Sequence, residues 1–466
     1  MAQFTAFIEQ FSDIVWNSFL LFLLVGTGIF FTIRLRGVQV RRFGEGFRRV
    51  FGGFTLRGKK AGAEGMSSFQ ALTTAIAAQV GTGNITGCAT ALVSGGPGAL
   101  FWTWVSAFFG MATIYAEAVL AQHYKTTVDG HVTGGPAYYI RAAFKGKVGK
   151  VLATVFSVLI ILALGFMGNM VQSNSIGDAF YNAFGVNQLV VGLVVAAIAA
   201  FIFLGGVQRI AAVTEKIVPI MAAFYIVGCI IILVINAKAL PDTIKQIFVL
   251  AFKPQAIAGG IAGVTVQQAM RFGVARGLFS NEAGLGSTPH AHALAKVKQP
   301  QDQGAVAILG VFIDTFIVCT ITTLAILTTG VYETGETGAA LATIAFGEVF
   351  GVAGKAFLAI ATAIFAFTTL TATFYQNTIS LNYLTRNLTN RKIEKAIMIS
   401  WTLYFCLPQF LGTLDADFLW AVADASGVFN IICTIAILFA LRKEAVNVCR
   451  DFFERYLPAC ERGENP

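Results

Sequence analysis

The chain is poor in charge. Of its 466 residues only 12% are Asp, Glu, Lys or Arg, about half of the quarter that a soluble domain carries, which excludes a water-soluble globule. It also lacks the G-x-x-x-x-G-K-[ST] phosphate loop, G-x-S-x-G and H-E-x-x-H, which disfavours an ATP-driven pump and the familiar hydrolases. Five of the seven cysteines (Cys88, Cys229, Cys319, Cys406 and Cys433) fall within apolar runs and two (Cys449 and Cys460) in the terminal tail. No disulfide is therefore expected. The first apolar run, Ile14 to Ile33, is not followed by a small-residue cleavage site and reads as a retained helix.

What remains is apolar: 56% of residues are hydrophobic and the mean hydropathy is +0.72. A helix needs about 20 such residues to cross a bilayer. Hydropathy predicts an all-α membrane protein of eleven spans, centred near Leu24, Val80, Gly110, Ile161, Ala197, Gly228, Phe272, Thr320, Phe367, Phe405 and Cys433. Lys and Arg concentrate in cytoplasmic loops. With the amino end outside and the carboxyl end cytoplasmic, 27 of the 33 basic residues fall inside, whereas Glu333, Glu336, Asp415 and Asp417 lie outside. The net charge of +9 thus reports orientation and contact with anionic lipid, not nucleic acid. The connections Arg34 to Gly65 and His123 to Lys150 read as amphipathic cytoplasmic segments, the first with Phe43, Phe47, Val50 and Phe51 as a lipid-facing stripe.

Two predicted spans, the second and the seventh, are interrupted by small and polar residues: "QVGTGNITG" and "ARGLFSNEAGLGSTPHAH". Setting the first span aside leaves two sets of five, each opened by an interrupted helix. Five is odd, so the sets are inverted relative to each other, the pattern of a secondary transporter. The predicted organisation is 1–66, first helix and basic connection; 67–240 and 241–442, the two repeats; and 443–466, a cytoplasmic tail.

Glycines flanking Thr82 weaken the helix by about 1 kcal/mol each. Unwound backbone is tolerated at membrane depth only where a cavity or ligand satisfies it. Freed carbonyls suit a cation, and freed N–H groups near Gly83 and Asn84 suit a carboxylate. In the seventh span the spacing suggests an ion pair of Arg276 with Glu282 across a break near Ser280, while His290 and His292 have no ligand cluster for a metal. The ninth span contributes "FAFTTLTATFYQ", whose hydroxyls suit a hard cation unless each bonds its own helix. Asn169, Gln172 and Asn174 of the fourth span offer amides for a zwitterion or for interhelical bonds.

The segments "SSFQALTTAIAAQVGTGNITG", "GGPGALFWTWVSAFFGMATIYAEA", "GGPAYYI", "RFGVARGLFSNEAGLGSTP" and "LGVFIDTFIVCTIT" resemble the alanine or glycine:cation symporter family, over about Gly65 to Ala440. The resemblance implies the leucine-transporter architecture with one added helix at the front, and Na+ as coupling ion with no organic cofactor. It implies that a substrate carboxylate meets Thr82 and Gly83, and that the ammonium is held by the Ala78 carbonyl, Gln172 and Thr369 with Phe279 nearby. Sodium falls to Asn84 in one site and to the Ala77 and Val80 carbonyls with Thr368 and Thr369 in another. Where the family reads F-A-F-S-T-x-x-G-W, this chain has Thr373 in place of the pocket-wall tryptophan, so a side chain larger than methyl is admissible unless another residue fills the gap. Thr103 stands for the methionine of F-W-M-W, a packing change.

The expected activity is sodium-coupled symport of a small neutral amino acid, alanine or glycine foremost, into the cell across the plasma membrane by alternating access, and the chain is not expected to be an enzyme. The rivals are a proton-coupled carrier using Glu117, Glu282 or Asp314, and an ion channel, for which no filter loop is evident.

Overall fold

The computed structural model describes residues 10–11, 14–51, 65–128, 130–203, 206–253, 265–385 and 416–461. The predicted tenth span near Phe405, the basic cluster Arg386 to Lys395 and part of the first basic connection lie outside the described residues. The rest is mostly helical. A first helix α1 (Leu21–Arg34) meets α2 (Val38–Phe51) at 64°. The second predicted span is two helices, α3 (Ser68–Gln79) and α4 (Thr86–Gly95). Then come α5 (Ala99–His123), a hairpin of β1 (Thr126–Val128) and β2 (His131–Thr133), and α6 (Pro136–Ala143). Next are α7 (Gly146–Phe184), α8 (Gln188–Phe203), α9 (Gly206–Ile235) and α10 (Leu240–Leu250). The seventh predicted span divides into α11 (Val266–Asn281) and α12 (Pro289–His292). It is followed by α13 (Pro300–Thr328), α14 (Gly338–Phe350), α15 (Val352–Leu384), α16 (Ala416–Ala440) and α17 (Arg442–Asp451).

Among the described residues five single helices, α5, α7, α9, α13 and α15, are long and apolar enough to cross a membrane, and the bent pair of α1 and α2 makes a sixth. Exposed helix faces are apolar, as lipid contact requires: Val190, Val194 and Ile198 of the shorter α8 and Ile220, Val227 and Val234 of α9 are exposed. The two largest buried clusters among the described residues divide the helices between them. One joins α5, α7 and α16 with Ala283 and Leu285 of the second break; the other joins α3, α4, α9, α13, α14 and α15.

Both broken spans start with the same device. Ser67 Oγ accepts from Gln70 N and Gln70 Oε1 from Ser67 N, at 3.0 Å each. Thr265 and Gln268 repeat the arrangement at 3.1 and 2.9 Å. Each is a capping box satisfying two orphan N–H groups. The signature [ST]-x-x-Q-A, Ser67 to Ala71 and Thr265 to Ala269, is therefore a local likeness between the two predicted halves that hydropathy alone passed over.

Three expectations about the connections are corrected. Val50 is buried, and Gly46 packs directly against the Ala305 carbonyl, so α2 lies on α13, and of the four stripe residues Phe47 and Phe51 are exposed. The segment from His123 to Lys150 forms a hairpin and a short helix instead of one amphipathic stretch. The 13-residue helix α14 was not foreseen; it is too short to register as a span.

Candidate functional site

The first break is short. α3 ends at Gln79; Val80 is extended with ψ 90° and Gly81 has φ −137°, after which one 3-10 turn, Thr82–Asn84, precedes α4. The released donors find neutral partners. Gly81 N donates to Asn84 Oδ1 (2.9 Å) and Thr82 N to Gln172 Oε1 (3.1 Å) of α7. Thr82 Oγ1 is buried without a partner. Gly81 has no room for a side chain: a β-carbon there would run into Thr369 Oγ1 and lie 3.2 Å from Gln172 Oε1. At Gly83 it would lie 3.3 Å from the Phe279 ring. Thr82, Gly83, Gln172, Phe279 and Thr369, which the sequence resemblance grouped together, thus meet around this break. Ala77, Ala78 and Val80 are buried in the same turn and the one before it.

Beneath Asn84 lies a carboxylate. Asp314 sits in a π-helical stretch of α13, Phe312–Cys319, a form of helix frequent at functional sites. Asn84 Nδ2 donates to Asp314 Oδ1 (2.7 Å), Ser280 Oγ to the same oxygen (2.8 Å) and Thr315 Oγ1 to Oδ2 (2.8 Å). Asp314, Thr315 and Asn84 are fully buried. The group joins the first break, the end of α11 and α13 through oxygen-bearing side chains. Gln79 Nε2 also donates to Asn281 O (2.8 Å), so the helix ends at the two breaks touch.

On α15 the hydroxyls turn to their own helix. Thr368 and Thr369 donate to Phe365 O (2.8 and 3.1 Å), and Thr371 to Phe367 O. Thr373 Oγ1 reaches Asn169 Oδ1 across the interface with α7 at 2.7 Å, with its own helix carbonyl Thr369 O at 2.8 Å. Asn169 follows a second π-helical stretch, Ile161–Gly168.

The second break is longer and starts later than expected. Ser280 remains helical; α11 ends at Asn281, and Glu282 takes left-handed φ 57°. Gly284 (φ 93°) and Gly286 (φ 78°) follow, conformations that glycine adopts without strain. Here a buried carboxyl group holds the backbone. Glu117 of α5, fully buried, accepts from Gly284 N (3.0 Å) and Gly286 N (3.1 Å). The Leu285 carbonyl accepts from Asn430 Nδ2 and Thr434 Oγ1 of α16. The Glu282 carboxylate accepts from Ser287 Oγ (2.6 Å), within the break, in place of the Arg276 partner suggested by spacing. His290 Nδ1 lies 2.8 Å from Ser287 O and His292 Nδ1 2.8 Å from Gln303 Nε2. Thr103 ties two helices together, its hydroxyl reaching Gly273 O of α11 at 2.9 Å.

The amino end of the first broken span and the carboxyl end of the second are also tied together. Met66 N donates to Leu294 O and Lys296 N to Met66 O, both at 2.8 Å. Gln122 Nε2 and Lys125 Nζ of the α5 terminus donate to Ala295 O (2.8 and 3.1 Å).

Sequence reasoning named Glu117 and Asp314 only as proton candidates and did not single out Thr315, Asn430 or Thr434. The signal for Glu117 and Asp314 was the rarity of a carboxylate in an apolar run; their partners lie far away in the chain and left none.

Comparison with known proteins bears on family and fold. The profile of the Sodium:alanine symporter family matches residues 1–463. The chain is 38% identical over 451 residues to the amino-acid carrier protein AlsT of Bacillus subtilis, covering 96% of this chain and 92% of that protein. It is 39% identical over 429 residues to the sodium/alanine symporter AgcS of Methanococcus maripaludis, covering 90% and 91%. It is also 37% identical over 442 residues to the probable sodium/glutamine symporter GlnT of Bacillus subtilis, covering 95% and 89%. Among solved structures, a manganese transporter of Eremococcus coleocola shares the fold at 11% identity and TM-score 0.53, over 81% of this chain and 78% of that one. The chain is a multi-pass transporter of the plasma membrane and not an enzyme, and it belongs to the sodium:alanine symporter family.

Proposed function

We propose that the chain carries a small neutral amino acid into the cell together with sodium, by alternating access between two inverted five-helix repeats, 67–240 and 241–442, that follow the added helix of 1–66. Its eleven spans leave the amino end outside and the segment 443–466 in the cytoplasm. The observation that carries this reading is the buried, partnerless hydroxyl of Thr82 in an unwound stretch, with Gly81 held against Thr369 and Gln172. Buried polar atoms are rarely left unpaired without a purpose.

In this reading the substrate carboxylate takes Thr82 and Gly83. Its ammonium takes the Ala78 carbonyl, Gln172 and Thr369, with Phe279 closing one side and Thr373 lining the side-chain wall. One sodium takes the Ala77 and Val80 carbonyls with Thr368 and Thr369, whose hydroxyls keep lone pairs for it while donating along their own helix. The other takes Asn84, and the neighbouring Asp314, Ser280 and Thr315 surround it with the oxygen donors a hard cation prefers. Because Asn84 caps the Gly81 N–H and its neighbour Thr82 touches the substrate, binding of either ligand stiffens the same turn. Each then raises the affinity of the other by a shared coupling energy, typically about 1–3 kcal/mol.

The relatives are named for alanine and for glutamine, and both are neutral amino acids of this class. A proton-coupled alternative would use Glu117, Glu282 or Asp314, of which Asp314 bonds Asn84 of the first break directly. Reconstituted protein is expected to accumulate labelled alanine or glutamine under an inward sodium gradient and not under potassium. Equal uptake in both would reject sodium coupling, and uptake driven by a pH gradient alone would select the proton reading.

A further inference from the structure

One wall of the candidate site holds more hydrogen-bonding capacity than the protein uses. Thr369, Thr373 and Gln376 are spaced i, i+4, i+7 on α15 and share a face, the face that meets Gly81 at Thr369. Thr373, Gln376 and Asn377 are each at most 2% exposed, and Asn169 opposite them is fully buried. Gly165 lets the helices close: a β-carbon there would lie 2.9 Å from Asn377 Nδ2.

Apart from the Gln376 amide nitrogen the donors in this wall are committed, while several of its acceptors are not. Asn169 Nδ2 donates to Gly165 O and Asn377 Nδ2 to Thr373 O. The single Thr373 proton has three acceptors in reach: Asn169 Oδ1 at 2.7 Å, Thr369 O at 2.8 Å and Leu370 O at 3.2 Å. Asn377 Oδ1 and both amide atoms of Gln376 have no partner. The Gln376 side chain stands beside the Glu282 carboxyl group of the second break. Carboxamide oxygens short of a proton therefore outnumber the free donor, the Gln376 amide nitrogen. A methyl side chain answers none of these groups and a hydroxyl supplies one proton. A primary carboxamide supplies two protons and an acceptor oxygen.

We propose that the amino acid seated here carries a primary carboxamide, the chemistry of glutamine and asparagine, against Asn169, Thr373 and Gln376. This inference rests on the reading of the site as an amino-acid site. A site built to hydrogen-bond a polar side chain discriminates strongly against an analogue that lacks it, because its own buried groups are then left unpaired.

The test is sodium-driven uptake of labelled glutamine and labelled alanine in proteoliposomes, with competition by L-glutamine and L-asparagine against their apolar near-isosteres L-methionine and L-leucine. The carboxamides are expected to compete at least about tenfold more strongly than the isosteres, and Gln376→Leu to narrow that ratio to about twofold. Isosteres or alanine competing as well as carboxamides, or a ratio unchanged in Gln376→Leu, would overturn the inference. If Gln376→Leu does not fold, Thr373→Val is read in the same way, with size-exclusion profiles reporting folding. Sodium-driven alanine uptake with no carboxamide preference removes this inference alone; no sodium-driven uptake of either amino acid removes the functional reading beneath it as well.

Discussion

The two breaks solve the same problem with different partners. In the first, between Gln79 and Thr86, the freed N–H groups of Gly81 and Thr82 go to neutral amides, Asn84 of the same turn and Gln172 of α7, and the Thr82 hydroxyl goes unpaired. In the second, between Asn281 and Pro289, two N–H groups share the Glu117 carboxylate, and Leu285 O is held from α16 by Asn430 and Thr434. These partners are side chains of other packed helices, so the freed groups of the second break are satisfied by the protein itself. The second break is therefore clamped by the scaffold and the first is left responsive to ligands. Unwound backbone at membrane depth is not by itself a binding site; what matters is whether the protein has already satisfied it.

Substitutions should separate the two breaks by what they damage. The largest effect is expected for Glu117→Ala, which leaves two buried N–H groups unpaired and should lower stability by about 2–6 kcal/mol, read as thermal unfolding of the purified protein. Glu117→Gln, retaining one amide oxygen, should lose less. A Glu117→Ala protein as stable as the parent would remove the clamp. Ser287→Ala removes a donor from a buried Glu282 oxygen and should cost about 1–3 kcal/mol, with the substrate KM unchanged.

In the first break, Gly81→Ala forces a β-carbon into Thr369 and Gln172. Overpacking of this kind costs about 1–3 kcal/mol, and uptake should fall further than that loss of folded protein explains; shaving Thr369 to Ala in the same chain should recover part of the stability. The smallest stability change is expected for Thr82→Ala, within about 0.5 kcal/mol, since its hydroxyl bonds nothing in the protein. Its substrate KM should nonetheless rise about tenfold or more, as for loss of a hydrogen bond to a charged group. Thr82→Ala with parental KM would show the hydroxyl to be idle.

Much of this is legible in the amino-acid sequence. Glycine, threonine and asparagine in an uncharged run locate the first break, and the resemblance gathers residues that do meet around Gly81. The second break is located to within two residues, Ser280 against Glu282, because Ser-Asn-Glu reads as polar throughout while the helix ends only where Glu282 turns left-handed. The twin capping boxes are present as [ST]-x-x-Q-A but carry no hydropathy signal. The Arg276 pairing fails because spacing along the chain ignores Ser287, a nearer donor within the same loop. The Glu117 clamp and the Asn169–Thr373 bond join residues 167 and 204 positions apart, and the π-helical stretches at Ile161–Gly168 and Phe312–Cys319 have no local pattern to betray them.

Hydrogen–deuterium exchange of the reconstituted protein, with and without sodium and glutamine or alanine, tests the contrast most directly. Residues 80–86 are expected to become protected when both ligands are present, while residues 282–288 exchange slowly and equally in every condition. Protection that rises as much in residues 282–288 as in residues 80–86, or no change in residues 80–86, would contradict it.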